Sequence, residues 1–587
     1  MNGFPYLLIL LLLPLAGAIV VAGMGGAAVR TVRLTAMAFA VLEFAFAVAL
    51  WIDYRNFLTE GGGSNPFSAT VSVEWIPSFG ISFSLGVDGI SLVMIALIGF
   101  LMPIVLGASW EERLPAGRTI GGYFALLLAM QCTMVGVFAA TNVFLFYCFF
   151  EVMLIPMYFL IGYFGGPRRA YAATKFFLYS LLGGLLMLAS VIGLYVASGQ
   201  VLPSGTLDWA ALRQIAGSIP ESTQMWIFAG FAVAFAIKAP LVPLHTWLPD
   251  AGAEAPTGAS TLLVTVLDKV GTFGFLRICL PLLPAASARL AWLFLLLALL
   301  GILYGAIVAA MQTDLKKFVT FTSIAHFGFI AMGVFVFTTQ AMSGAVLYML
   351  NHGIATGLLF IVVGMLIARG GSRQVADYGG VWKVAPLLGG VFLVATMATV
   401  ALPGTNSFVS EFLVLIGAFA RYPGWAIPAT IGMIFAAVYM LWIFQRTMTG
   451  PVRGAAVVRP GQPAGPEGEV AVPAAATVPT GAGPTVAQVG PSADSGPSGA
   501  GLVAAAPAAV IDSGPDAHGP TRVRARFGDL TRREIAVVTP LVLAILFLGI
   551  YPKPVLDVIN PTVTATMSST GFSDPGTAVP APNGGGK

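Results

Sequence analysis

The chain has 587 residues, of which 57% are hydrophobic and 9% charged, against about 25% charged in soluble domains. That composition excludes a soluble globular protein. The net charge of +4 is small and scattered, so no nucleic-acid partner is expected.

Apolar runs of about 20 residues, enough to cross a ~30 Å hydrocarbon core, recur along the whole length. In chain order they predict spans at 5–23, 33–51, 86–106, 120–138, 142–163, 173–196, 223–248, 258–280, 288–310, 317–337, 341–368, 385–420 (broken), 424–446 and 534–552. The fold expected is therefore an all-α polytopic membrane protein of about fourteen transmembrane helices. The first run, "YLLILLLLPLAGAIVVAG", lacks a basic start and reads as a span, not a cleaved signal. Cys132, Cys148 and Cys279 are isolated in apolar runs. Without C-x-x-C spacing they argue against a disulfide framework, a zinc site or an iron–sulfur site.

Orientation follows from the loops. With the N-terminus outside, 20 of the 29 Lys and Arg residues fall on one side, which the positive-inside rule makes cytoplasmic. An even number of spans then puts both termini outside. Residues 452–527 are rich in Ala, Pro and Gly. Their few large apolar residues cannot offset chain entropy, so they read as a flexible cytoplasmic insertion. Deleting about residues 460–515 is expected to leave the protein's activity unchanged. A large loss of activity in an assembled deletion variant would show that the insertion docks on something. The organisation expected is helices 1–3 (1–106), two five-helix sets (120–280 and 288–446), the insertion, helix 14 (534–552) and a flexible tail (553–587).

Charged side chains at membrane depth are costly and mark ion paths. Glu151 sits in the middle of "NVFLFYCFFEVMLIPMYFLIGYF"; Lys238, Lys269 and Glu411 are also too deep to snorkel comfortably. Arg277, near the end of its span, is expected to snorkel. Glu43 is deep without an evident role, and Asp268, about 100° around the helix from Lys269, is given none. In "FAIKAPLVPLHTWLPDA" a lysine precedes three prolines. Pro240 leaves the carbonyl of Ala236 without its helical donor, and unpaired backbone at this depth needs protein or water beside it. A broken helix beside a hydrated cavity accounts for both features, with the freed carbonyls open to water or to Lys238. "TVALPGTNSFVSEFLVLIGAF" repeats the pattern with Pro403, Gly404 and Glu411. The two broken spans, 7 and 12, each stand fourth in a set of five, which points to two inverted five-helix repeats. At helical spacing, Thr261, Thr265, Lys269 and Thr272 share one face, as do Tyr348, His352 and Thr356. Ser323 and His326 lie three apart. Histidine titrates near neutrality and suits proton relay.

Seven stretches together resemble the antiporter-like membrane subunits of respiratory complex I: "LGVDGISL", "FFEVMLIPMYFLIG", "IKAPLVPLHTWLPDAGAEAPT", "LDKVGTFGFLR", "QTDLKKFVTFTSIAHFGF", "NHGIATGLLFI" and "LPGTNSFVSEFLVL". Glutamate at 411, fourteen spans and the early "FGISFSLGVDGIS" are similar to the M-type subunit. The resemblance implies that Glu151 and Lys238 form the partnered pair of spans 5 and 7. It makes Lys269 the central lysine, His326 and His352 the relay, and Glu411 the outward terminal site. Many relatives carry histidine where this chain has Gly252. The resemblance further implies a proton-translocating subunit of NADH:quinone oxidoreductase in a bacterial inner membrane. It would have no cofactor of its own; NADH, FMN, iron–sulfur clusters and quinone would belong to partner subunits. L-type and N-type antiporter-like subunits would be its neighbours, with lipids around. A subunit of a cation/proton antiporter or membrane-bound hydrogenase is the alternative within the superfamily. A haem protein with His326 and His352 as axial ligands, and a passive scaffold, are the alternatives beyond it.

Overall fold

The computed structural model describes residues 4–60, 66–458 and 527–575. Two long apolar helices, α1 (Tyr6–Gly23) and α2 (Val29–Thr59), come first. An antiparallel hairpin follows, β1 (Ser68–Ile76) with β2 (Ile81–Val87). Its β-branched and serine alternation, "SATVSVEWI" and "ISFSLGV", suits a pleated strand pair, and Gly80 closes the turn at φ 61°. Asp88 caps α3 (Gly89–Ala108) by accepting from the N–H groups of Ile90 and Ser91, a reciprocal capping box.

Then come α4 (Ile120–Ala139), α5 (Val143–Val152), α6 (Leu154–Gly162), α7 (Arg169–Val201), α8 (Trp209–Ile215), α9 (Glu221–Lys238) and α10 (Trp247–Glu254). The stretch 257–282 is helical but alternates between α-helical and underwound turns. Here α11 (Thr257–Leu262), α12 (Lys269–Gly274) and α13 (Leu280–Leu282) are separated by π-turns at Leu263–Leu267 and Phe275–Cys279. The remainder is α14 (Pro284–Ala310), α15 (Leu315–Phe335), α16 (Thr339–Gly370), α17 (Val381–Val384), α18 (Pro386–Thr399), α19 (Asn406–Arg421), α20 (Pro423–Met448), α21 (Arg532–Ile550) and α22 (Lys553–Ser569).

Eleven of the described helices are long and apolar enough to cross a membrane, the α5–α6 pair counted as one. α15 and α16 are 94% buried over their apolar windows, whereas α2, α20 and α21 are 28–33% buried. The first two are thus the centre of the fold, and the others present apolar faces outward, as lipid contact requires.

Three expectations need correction. The hairpin β1–β2 was not foreseen in an otherwise helical chain. The 553–587 tail opens with α22, whose Val555, Val558, Ile559, Val563 and Met567 recur at helical spacing and are buried; that apolar face offsets the entropy assigned to a free tail. The 452–527 insertion begins later than expected. Ala456 and Val457 are buried and Ala456 N–H donates to the Asp377 carbonyl, while Phe527 is buried at the far edge. The rest of the insertion, and the tail beyond 575, lie outside the described residues.

Candidate functional site

Two helix breaks frame the site. After Lys238 the chain leaves the helix until Trp247. Pro240 cannot donate to Ala236, so the N–H of Leu241 does, at 2.9 Å. The Trp247 indole N–H takes the Ile237 carbonyl at 2.8 Å. The Ala236 and Ile237 carbonyls are thus re-paired within the protein, where the sequence left them to water or the Lys238 ammonium. The second break also contains an i→i+5 bond, Leu402 N–H to Met397 O at 3.0 Å, but it precedes Pro403 and does not re-pair the Thr399 carbonyl that Pro403 frees. Ala401 and Gly404 take positive φ, 60° and 94°, the conformation a sharp reversal needs. The inner half of the first broken helix is pinned by charge. Asp250 pairs with Lys175 at 2.8 Å, and Glu254 with Arg373 at 3.2 Å.

All six anticipated residues lie on this frame, but they are not equally connected. Lys269, with no exposed surface, starts α12 just after a π-turn, a feature common at functional sites. Its Nζ donates to the Val264 carbonyl at 2.6 Å and to Asp268 Oδ1 at 3.1 Å, and lies 2.7 Å from His352 Nδ1. The His352 ring stands edge-on to His326, centroids 5.5 Å apart. Tyr348, one turn before His352, is 5.8 Å from the His326 ring and donates a hydrogen bond to Glu411 Oε1. The Thr399 carbonyl, which Pro403 deprives of a helical donor, interacts with His326. Two asparagines fix this end. Asn351 Nδ2 donates to the Asn406 carbonyl at 2.7 Å, and Asn406 Nδ2 to the Asn351 carbonyl at 3.0 Å. This reciprocal pair locks α16 to the start of α19, and so sets Glu411 against Tyr348.

The other end is looser. Lys238 is fully buried, with its Nζ 5.0 Å from the Phe150 ring centroid and 5.5 Å from that of Phe176. It feels the charges of Glu151 and Asp268, yet it forms no ion pair within 4.0 Å among the described residues. Glu151 is half-buried where α5 gives way to α6, beside the outward apolar side chains Val152 and Ile155. Its carboxylate rests against Gly184 of α7, where an added Cβ would fall 1.7 Å from Oε1. The sequence pairs Glu151 with Lys238; the structure holds them near but apart.

Around the axis, several buried polar atoms have no protein partner: Thr265 Oγ1, Ser323 Oγ, Thr356 Oγ1, Thr396 Oγ1, His326 Nε2 and His352 Nε2. Buried polar groups are ordinarily hydrogen-bonded, and a cluster of this kind is what internal water satisfies. These atoms are spread between Lys269 and Glu411.

Sequence reasoning missed four participants. Asp268 is paired with Lys269, both with no exposed side chain, although adjacent helical positions diverge. Asn351 lies beside His352, and Asn406 in the polar cluster before Glu411; only Tyr439 is a lone polar residue on its helix face. Arg277 does not snorkel. It pairs with Asp88 at 2.7 Å and lies among the rings of Phe67, Trp209 and Phe273. Glu43 faces Gln131 of α4, away from the axis.

A profile of the family described as "NADH:quinone oxidoreductase/Mrp antiporter, TM" matches residues 140–436, which contain all six axis residues. Subunit M of NADH-quinone oxidoreductase from Mycobacterium tuberculosis is 41% identical, over 99% of this chain and 97% of its own. The chain belongs to this subunit M family. A chain of respiratory complex I from Thermus thermophilus with bound NADH superposes with a TM-score of 0.75 at 28% identity, covering 96% of this chain and 100% of that one. A chain of the Mrp complex from Dietzia sp. gives 0.73 at 19% identity, covering 96% and 98%; that likeness is one of fold. The subunit M family therefore fits the whole chain, where the antiporter relationship is carried by architecture.

Proposed function

We propose that the buried axis Glu151–Lys238–Lys269–His352–His326–Glu411 carries protons through this membrane subunit of NADH-quinone oxidoreductase. The chain is a multi-pass membrane protein of the respiratory complex, and other subunits of complex I are its partners. The observation that carries the proposal is the unbroken set of contacts from Lys269 through His352, His326 and Tyr348 to Glu411.

Each group on that path can hold or hand on a proton to the next, directly or through one water. Burial disfavours a charged lysine, and a carboxylate drawn close favours it. Glu151 stands at an outward-facing surface, where a neighbouring subunit's charge can pull it toward or away from Lys238. Held apart, Lys238 is left with Asp268 as its other counter-charge and can release its proton along the axis. L-type and N-type antiporter-like subunits are the neighbours in this reading. The reaction class is translocation. This chain contributes no redox centre, and NADH, FMN, iron–sulfur clusters and quinone belong to partner subunits that supply the energy. Both termini face outside the cytoplasm of a bacterial inner membrane, and the two five-helix sets are inverted repeats around the two breaks.

Glu151→Gln and Lys238→Ala are expected to assemble and to lower both quinone-linked NADH oxidation and proton uptake in vesicles by roughly tenfold or more. Gly184→Ala should do the same in part, because its methyl group displaces the Glu151 carboxylate without altering any titratable group. Wild-type turnover and uptake in all three purified variants would remove this pair from the mechanism.

A further inference from the structure

At the C-terminal end of α20, a recess of about 350 Å³ is lined by Trp442, Gln445, Arg446, Thr449, Gly450 and Arg453. It lies away from the axis. The Arg446 guanidinium stacks on Trp442, 4.7 Å from the ring centroid. Arg453 lies flat across Gly379, where a Cβ would come within 2.4 Å of its Cγ, and its N–H donates to the Gly379 carbonyl. Both arginines are thus positioned at the rim. No carboxylate lines the recess, and neither arginine forms an ion pair among the described residues. The Thr449 hydroxyl is spent on the Gln445 carbonyl, which leaves two guanidinium forks and the Gln445 amide as donors. That donor set suits a phosphate oxygen cluster. The helix C-terminus opposes an anion with about half a charge, which two full charges outweigh.

The helix face leading to the recess specifies the source of the phosphate. Ile427, Ile431, Ile434, Val438 and Leu441 are 60%, 44%, 62%, 59% and 48% exposed. They follow one another at steps of four, three, four and three residues, and the next step is Gln445. A single apolar stripe therefore runs along α20 into a cationic recess. Ile434 to Leu441 spans about 10 Å at 1.5 Å per residue, most of one ~15 Å leaflet. Trp442 lines the recess and the exposed Trp382 of α17 packs on Phe444 close by; tryptophans are enriched at the membrane interface.

We propose that this recess binds the phosphate headgroup of an anionic phospholipid, with an acyl chain along Ile434, Val438 and Leu441. The leaflet is the cytoplasmic one on the orientation proposed above; the headgroup chemistry is independent of it.

The test uses the intact complex, delipidated in detergent and titrated with brominated phosphatidylglycerol or brominated phosphatidylcholine in mixed micelles. The quenching assigned to Trp442 is the difference between the unmodified complex and Trp442→Phe. Phosphatidylglycerol is expected to quench at lower concentration than phosphatidylcholine. Arg446→Gln and Arg453→Gln should each weaken that binding about fivefold, with NADH-driven proton uptake unchanged. Inorganic phosphate should not relieve the quenching. Relief by phosphate would make this a free-anion site, and equal quenching by the two lipids would make it an apolar surface. No quenching in the assembled complex would mean that a neighbouring subunit covers the face. Each of these three results overturns the lipid assignment while leaving the axis untouched.

Discussion

Complexes carrying Lys269→Met are expected to assemble and to lose about tenfold or more of their NADH-driven proton uptake, the scale of removing one positioned acid–base group. Lys269 is the residue through which the two ends of the axis communicate. Its Nζ touches His352 on one side and Asp268 on the other. Methionine preserves the length and apolar stem of the side chain and removes only the proton carrier. The Asp268 left behind can bind a proton and become neutral, so its burial costs little. Asp268→Asn is the opposite case. It strands a buried ammonium without its carboxylate, a change that costs about 3–5 kcal/mol, and the yield of assembled complex should fall. The double variant Asp268→Asn with Lys269→Met buries no charge, so assembly should return while proton uptake does not. Native electrophoresis reads assembly, and uptake per NADH oxidised reads function. Full uptake in Lys269→Met would mean that protons bypass the central lysine.

The pairing of Asp268 with Lys269 also shows what the sequence could and could not disclose. Hydropathy, the prolines at 240 and 403 and the depth of six ionisable residues are properties of contiguous segments, and each survives into the fold. Helical spacing also placed Tyr348, His352 and Thr356 on one face, where two of them meet His326. What failed is regularity. A wheel of 100° per residue sends Asp268 and Lys269 apart, but the π-turn at Leu263–Leu267 disturbs the phase, and the long lysine stem curls back to both Asp268 and the Val264 carbonyl. Arg277 was misread for another reason. Its partner Asp88 lies in a different helix start, far away in sequence, so snorkelling was the only local way to satisfy it. The hairpin's alternation is present in the sequence, but it is short and stands between long apolar runs that dominate the hydropathy. Asn351 and Asn406 are each unremarkable alone; only the crossing of α16 and α19 makes them a reciprocal pair.

That pair bears on the second large effect expected, at Glu411. The Asn351–Asn406 lock sets α19 so that Glu411 accepts from Tyr348, with the Tyr439 hydroxyl, which also meets Thr322, close enough to interact with it. A terminal site must take a proton from the relay and yield it to water, and a carboxyl group beside a helix break can do both. Glu411→Ala removes the carrier and leaves Tyr348 without an acceptor, so it should lower proton uptake most, by roughly tenfold or more. Glu411→Gln keeps the hydrogen bond and loses the titration, and should be nearly as severe. Glu411→Lys retains a group that binds and releases protons, and the two tyrosine hydroxyls can accept from its ammonium, so it should be the mildest. Asn406→Ala tests the scaffold instead of the carrier. It removes the Asn406 side-chain donor from the Asn351 main-chain carbonyl, at a cost of about 1 kcal/mol, and should lower uptake less than Glu411→Ala does. The measurement is proton uptake per NADH oxidised, in complexes first shown to be assembled. If alanine at 411 pumps as well as glutamate, the proton leaves the axis before Tyr348, and His326 with its Thr399 carbonyl becomes the place to look for the exit.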